Sequence, residues 1–93
     1  MDRLTRMPEG GPSYIADEAG IRHDGDGYTG AAVEKLAKFE NLYDDLAAKQ
    51  RNLAAELEKL RSENRTHSVK FKQLLADKLT TGNILILFKS YGL

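Results

Sequence analysis

The chain has no cysteine, no tryptophan and only two prolines, Pro8 and Pro12. Without thiols there can be no disulfide, no thiolate metal site and no thiol nucleophile, which fits a reducing compartment. Long apolar runs are also missing. The longest uninterrupted one covers residues 84–88, far short of the roughly 20 residues a membrane helix needs. Residues 1–12 lack the apolar core of a secretory signal, so a soluble, cytoplasmic protein is expected. Neither charge sign is in surplus, with 14 Lys and Arg against 14 Asp and Glu. Histidine is scarce too. His23 and His67 are the only two, and no Ser/His/acid or paired-carboxylate arrangement can be drawn around them. The expectation is a protein that is not an enzyme and needs no cofactor.

At 93 residues the chain is one domain at most, and it buries a modest share of its surface. Charge is distributed unevenly along it. Residues 1–29 carry three bases against six acids, residues 30–60 five against six, and residues 61–93 six against two. An acidic front therefore grades into a basic back, which permits contact with nucleic acid at the C-terminal end.

Three segments follow from glycine and proline. Residues 1–29 hold most of the glycines and both prolines, with turn signals at Gly10-Gly11-Pro12 and Asp24-Gly25-Asp26-Gly27. They read as an irregular, partly flexible arm, in which Tyr14-Ile15 and Ile21-Arg22 could form short strands. Between Gly30 and Gly82 there is neither glycine nor proline, and Ala, Leu, Glu, Lys and Arg dominate. One long helix over residues 30–79 is predicted, capped by Thr29 or Gly30. Residues 80–93 open with Thr80-Thr81-Gly82-Asn83, which reads as a loop. A short apolar helix follows, with Ile84, Leu85, Leu87, Phe88 and Tyr91 on one face and Gly92 ending it.

The period of the central segment is its most informative property. With Leu53 and Leu60 at heptad position d, the d line is Ala32, Phe39, Leu46, Leu53, Leu60, His67 and Leu74. The a line is then Leu36, Tyr43, Gln50, Leu57, Asn64, Phe71 and Lys78. Ten of these fourteen positions are apolar or aromatic, and a sustained 3.5-residue spacing is the signature of a coiled coil. The fold class predicted is all-α, built on a long central coiled-coil helix. A stripe of that length needs a cover, so a homo-oligomer is expected, with Leu36, Phe39, Tyr43, Leu46, Gln50, Leu53, Leu57, Leu60, Asn64, His67, Phe71 and Leu74 at its interface. Asn64 at an a position and the g–e pair Glu56–Arg61 favour a parallel dimer; antiparallel and four-helix arrangements stay open.

One stretch interrupts this pattern. Residues 62–68 are polar and poor helix formers, and they allow a hinge or a turn with Thr66 or Ser68 capping a second helix. The unbroken heptad phase from Leu60 to Phe71 argues for continuity. His67 at d could make the layer sensitive to acid, since two facing charged imidazoles repel; a tolerated polar core residue is the plainer reading.

Two other motifs compete with plainer readings. His23-Asp24-Gly25-Asp26-Gly27 resembles the start of a calcium loop, but Arg22 and Val33 stand where such a loop needs acids, so a turn is expected and no metal. Residues 69–91 can be drawn as a helix-turn-helix. The second helix would offer only Asn83, Lys89 and Ser90 to bases, so it is better read as a packing helix. Were nucleic acid bound, Arg61, Arg65, Lys70, Lys72 and Lys78 would contact phosphates.

Residues 25–42, GDGYTGAAVEKLAKFENL, and residues 71–93, FKQLLADKLTTGNILILFKSYGL, resemble small proteins of prophages and integrative elements of Gram-positive bacteria. The resemblance implies a mobile-element origin and brings no functional residues with it. The function expected is thus protein–protein interaction through a self-associating coiled coil, as a scaffold or a stoichiometric inhibitor, with a protein partner. The alternative is a nucleic-acid-associated regulator using the basic C-terminal third.

Overall fold

The computed structural model describes residues 1–93. It contains four short strands and two helices: β1 Thr5–Arg6, β2 Ile15–Ala16, β3 Arg22–Asp24, β4 Gly27–Thr29, α1 Ala31–Ser62 and α2 Val69–Ser90, with a 3₁₀ turn at Glu18–Gly20. The protein is mostly helical, and the strands make the all-α description only approximate. Two compact units divide the chain, Met1–Asn41 and Leu42–Leu93.

In the first unit, the residues expected to be irregular form two antiparallel ribbons. β1 pairs with β2 through Thr5↔Ala16 and Arg6↔Ile15. The Arg6 Nε hydrogen-bonds Asp17 Oδ1 at 3.0 Å, and the Arg3 guanidinium lies 5.4 Å from the Tyr14 ring centre. β3 pairs with β4 through Arg22↔Thr29, His23↔Tyr28 and Asp24↔Gly27. Across that pair the His23 and Tyr28 rings meet edge to face at 4.9 Å, a favourable cross-strand contact. Gly30 then leads into α1 with φ +123°, where a Cβ would stand 2.4 Å from the Gly20 carbonyl oxygen. Only glycine fits that position.

α1 runs for 32 residues, with Glu34 in its first turn and Lys59 and Arg61 in its last, each placed to favour the helix dipole. It does not continue to residue 79. The backbone groups at its end explain why. Asn64 takes the left-handed conformation at φ 58°, its N–H donates to Arg61 O at 3.0 Å, and the Arg65 N–H donates to Leu60 O at 2.8 Å. This is a Schellman ending with asparagine in the place glycine usually fills. Three residues on, Ser68 caps α2 by accepting from the Phe71 N–H at 3.1 Å. The expected continuous helix is therefore replaced by two helices with a turn at residues 63–68.

In the second unit these helices form an antiparallel hairpin. Leu60 clusters with Phe71, the Gln50 carboxamide lies against Gly82, and the Tyr43 and Phe88 rings approach to 6.0 Å. Positions fall along α1 as they rise along α2, and each pair of numbers sums to about 131. Leu57 is fully buried; Leu53, Leu60 and Phe71 are nearly so, with Leu74 and Leu75 packed against the Leu57, Leu60 and Phe71 cluster.

The inward residues of α2 are Phe71, Leu74, Lys78, Thr81, Leu85 and Phe88, all buried or half-buried. They alternate by three and four, as Tyr43, Leu46, Gln50, Leu53, Leu57 and Leu60 do on α1. Residues 80–83 are helical rather than a loop, and Thr81 is 2% exposed. Packing against α1 overrides the weak helix propensity of Thr80-Thr81-Gly82. At the far end Gly92 adopts φ +86°, and the Leu93 N–H donates to Phe88 O at 3.1 Å, a second Schellman ending.

Candidate interaction surfaces

The residues predicted to meet a second copy have three fates. Tyr43, Leu46, Gln50, Leu53, Leu57 and Leu60 form the α1 side of the intrachain seam, and Phe71 and Leu74 belong to the α2 side. Asn64 and His67 occupy no core layer. Both are exposed in the turn between α1 and α2.

Leu36 and Phe39 belong to the first unit and are 59% and 42% exposed. With Leu4, Ala32 and Met1 they line an open apolar cleft of about 490 Å³, rimmed by Arg3 and Lys35. The Lys35 ammonium donates to the Asp2 carbonyl, which engages it within the unit.

The basic residues are only partly gathered. Arg65 and Lys70 line a shallow cleft of about 270 Å³ together with Lys59, Leu60, Glu56 and Glu63. The Arg61 guanidinium sits 5.6 Å from the Phe71 ring centre and 3.6 Å from Glu58, while Arg65 pairs with Glu63 at 3.6 Å. Such exposed pairs contribute little stability but lower the net positive field of the turn. Lys72 is exposed in the first turn of α2. Lys78 does not join this group. It occupies an inward seam position and is half-buried.

The Asp24 carboxylate serves the ribbon. Its Oδ1 accepts from the N–H groups of Asp26 at 3.0 Å and Gly27 at 3.1 Å, which is the turn expected of Asp-Gly pairs. Nowhere do three His, Asp or Glu side chains come together as a metal site requires.

One feature escaped the sequence reading. Leu79, Ile86 and Leu87 are 61%, 66% and 60% exposed, and Ile84 is 38% exposed. Of the residues assigned to a single packing face, Leu85 and Phe88 turn inward, whereas Leu87 and Tyr91 are exposed. The signal was available. Five consecutive apolar residues surround a helix completely, and a hairpin can cover only one side of it. No helix is long and apolar enough to cross a membrane. No family model matches the chain, and no curated protein or solved structure matches it either.

Proposed function

We infer that this protein is a non-enzymatic interaction module that works through helix–helix association, with self-association as its first use. One observation carries this reading: α2 fills the inward seam and still exposes Leu79, Ile84, Ile86 and Leu87. Large exposed apolar side chains on so small a domain mark a surface that another molecule covers. The seam residues around Leu57 are already used inside the chain, so a parallel dimer through that stripe would require the hairpin to open. Association of intact hairpins through outer faces avoids that cost, as in four-helix bundles. A role as scaffold or stoichiometric inhibitor in a mobile element rests on the resemblance of residues 25–42 and 71–93 alone.

The test is the solution mass by sedimentation equilibrium, joined to affinity capture from a host lysate with and without nuclease. A mass above 10.4 kDa, or a protein partner that survives nuclease, supports the reading. A monomer that retains no protein opposes it.

A second reading, a nucleic-acid-associated regulator, is favoured by the gathering of Arg65, Lys70 and Lys59 about one cleft beside the turn. Duplex binding that falls steeply with salt and is lost when Arg65 and Lys70 are neutralised would support it. Binding indifferent to salt would sink it.

A further inference from the structure

Resting on the self-association reading, we propose that a second copy of this chain packs the α2 ridge Lys72–Leu79–Ile86 onto the α1 groove formed by Ala47, Ala54 and Glu58. A four-helix bundle results, with its twofold axis parallel to the helices.

Side, size and level each point to this arrangement. Two contacts mark one side of the hairpin: the Gln50 amide on Gly82, and the Arg61 guanidinium on the Phe71 ring. Ala54 and Ala47 precede Arg61 by one and two heptads, so they lie along that side of α1. Leu79 and Ile86 flank Gly82 at three and four residues, which brings them to the same side of α2. Both alanines are half-buried and small, whereas Leu79 and Ile86 are large and mostly exposed. The two alanines and the two large residues have the same seven-residue spacing, roughly 10.5 Å along a helix. One side of the hairpin thus offers two knobs on one helix and two shallow seats on the other, which is the self-complementarity an isologous interface requires.

Level decides the direction of the axis. With paired positions summing to about 131, Leu79 stands level with Asn52 and Ile86 with Asp45, each within two residues of an alanine. A twofold axis parallel to the helices preserves level, so Leu79 and Ile86 of one copy reach Ala54 and Ala47 of the other without sliding. Charge agrees with this placement. Lys72, one heptad before Leu79, falls level with Lys59, beside Glu58, whose side chain is 75% exposed and lies on the same side, four residues from Ala54. Each copy would then place an ammonium against its neighbour's carboxylate, and both pairs would lie at the turn end of the bundle.

The test is sedimentation equilibrium of the full chain and four groups of variants, with far-UV circular dichroism as the check on folding. Wild type is expected at twice 10.4 kDa. Leu79→Glu and Ile86→Glu should keep their helicity and weaken association at least about thirtyfold. Ile84→Glu, roughly 140–160° around α2 from Leu79 and Ile86, should leave the mass unchanged. Glu58→Lys and Lys72→Glu should each weaken the dimer by roughly threefold, and the double swap should restore it. A wild-type chain at single mass overturns both this interface and self-association. A wild-type mass that is neither single nor double overturns the two-copy bundle. A dimer that survives Leu79→Glu, or a charge swap that restores nothing, overturns this interface and leaves self-association standing.

Discussion

The Gln50 carboxamide lies so close to Gly82 that a Cβ on residue 82 would stand 3.1 Å from its Nε2. Two helices meet there through a glycine and an amide, and the Gln50 Oε1 is buried without a hydrogen-bond partner. Glycine inside a helix costs about 1 kcal/mol relative to alanine. The contact an alanine would make is relieved when a flexible side-chain end moves by a few tenths of an ångström. Gly82→Ala is therefore expected to raise the melting temperature, by a stability increment of about 0.5 kcal/mol after the contact is relieved. Gly82→Leu should instead lower stability by about 1–3 kcal/mol through overpacking. An alanine variant that melts below wild type would show that Gln50 cannot yield.

Gln50→Leu tests the other partner. Removing a buried acceptor that nothing satisfies, while keeping most of the volume, should stabilise the hairpin by about 1 kcal/mol. Chemical denaturation followed by circular dichroism reads this directly. A loss of stability would mean that the amide makes a bond worth more than the apolar contact replacing it.

Leu57 is the one fully buried large side chain. Leu57→Ala should cost about 2–5 kcal/mol by cavity formation. In so small a core this is a large part of the total stability, so the thermal transition should broaden or disappear at ambient temperature. Leu57→Ala melting within a few degrees of wild type would contradict the seam described here.

The turn at residues 63–68 makes its own prediction. Ser68→Ala removes the cap on α2 and should cost about 1 kcal/mol. Asn64→Val forces a β-branched residue into the left-handed region and should cost about 1–3 kcal/mol, whereas Asn64→Gly should be neutral or mildly stabilising. If helix continued through this stretch, the ranking would reverse, with valine tolerated and glycine harmful. Denaturation midpoints of the three variants decide it.

Gly30→Ala should disrupt the first unit, because its Cβ would collide with the Gly20 carbonyl and its φ is unfavourable for any other residue. The expected loss is about 2 kcal/mol or more, confined to the ribbons. Amide exchange should accelerate in residues 20–30 and stay unchanged in α2. Uniform acceleration across the chain would show that the two units unfold as one.

Much of the helical content was legible because its causes are local. The glycine-free stretch after Gly30 fixes where α1 begins, and the 3–4 alternation from Tyr43 to Leu60 identifies its inward line. Asn64 was misread because an asparagine has two physical meanings, a polar core residue in a heptad or a residue tolerant of left-handed backbone. The run of carbonyls it satisfies at the end of α1 is visible only in three dimensions. Ser68, three residues before Phe71, was a readable cap whose signal lost to an unbroken heptad phase. The ribbons were half-seen. Turn chemistry marked Asp24 to Gly27, while strand pairing depends on partners many residues away.

The sequence by itself determined that this chain forms long amphipathic helices with a 3.5-residue seam, since propensity and period reside in neighbouring side chains. It did not determine what fills that seam. A heptad stripe fits equally well against a second chain or against a later part of its own. The tertiary structure chose the latter: six residues reverse the chain, and the effective concentration of an attached helix then exceeds that of a separate one. That same choice left Leu79 and Ile86 on the outside, because α2 carries apolar residues on more than one face and one neighbour covers only one of them.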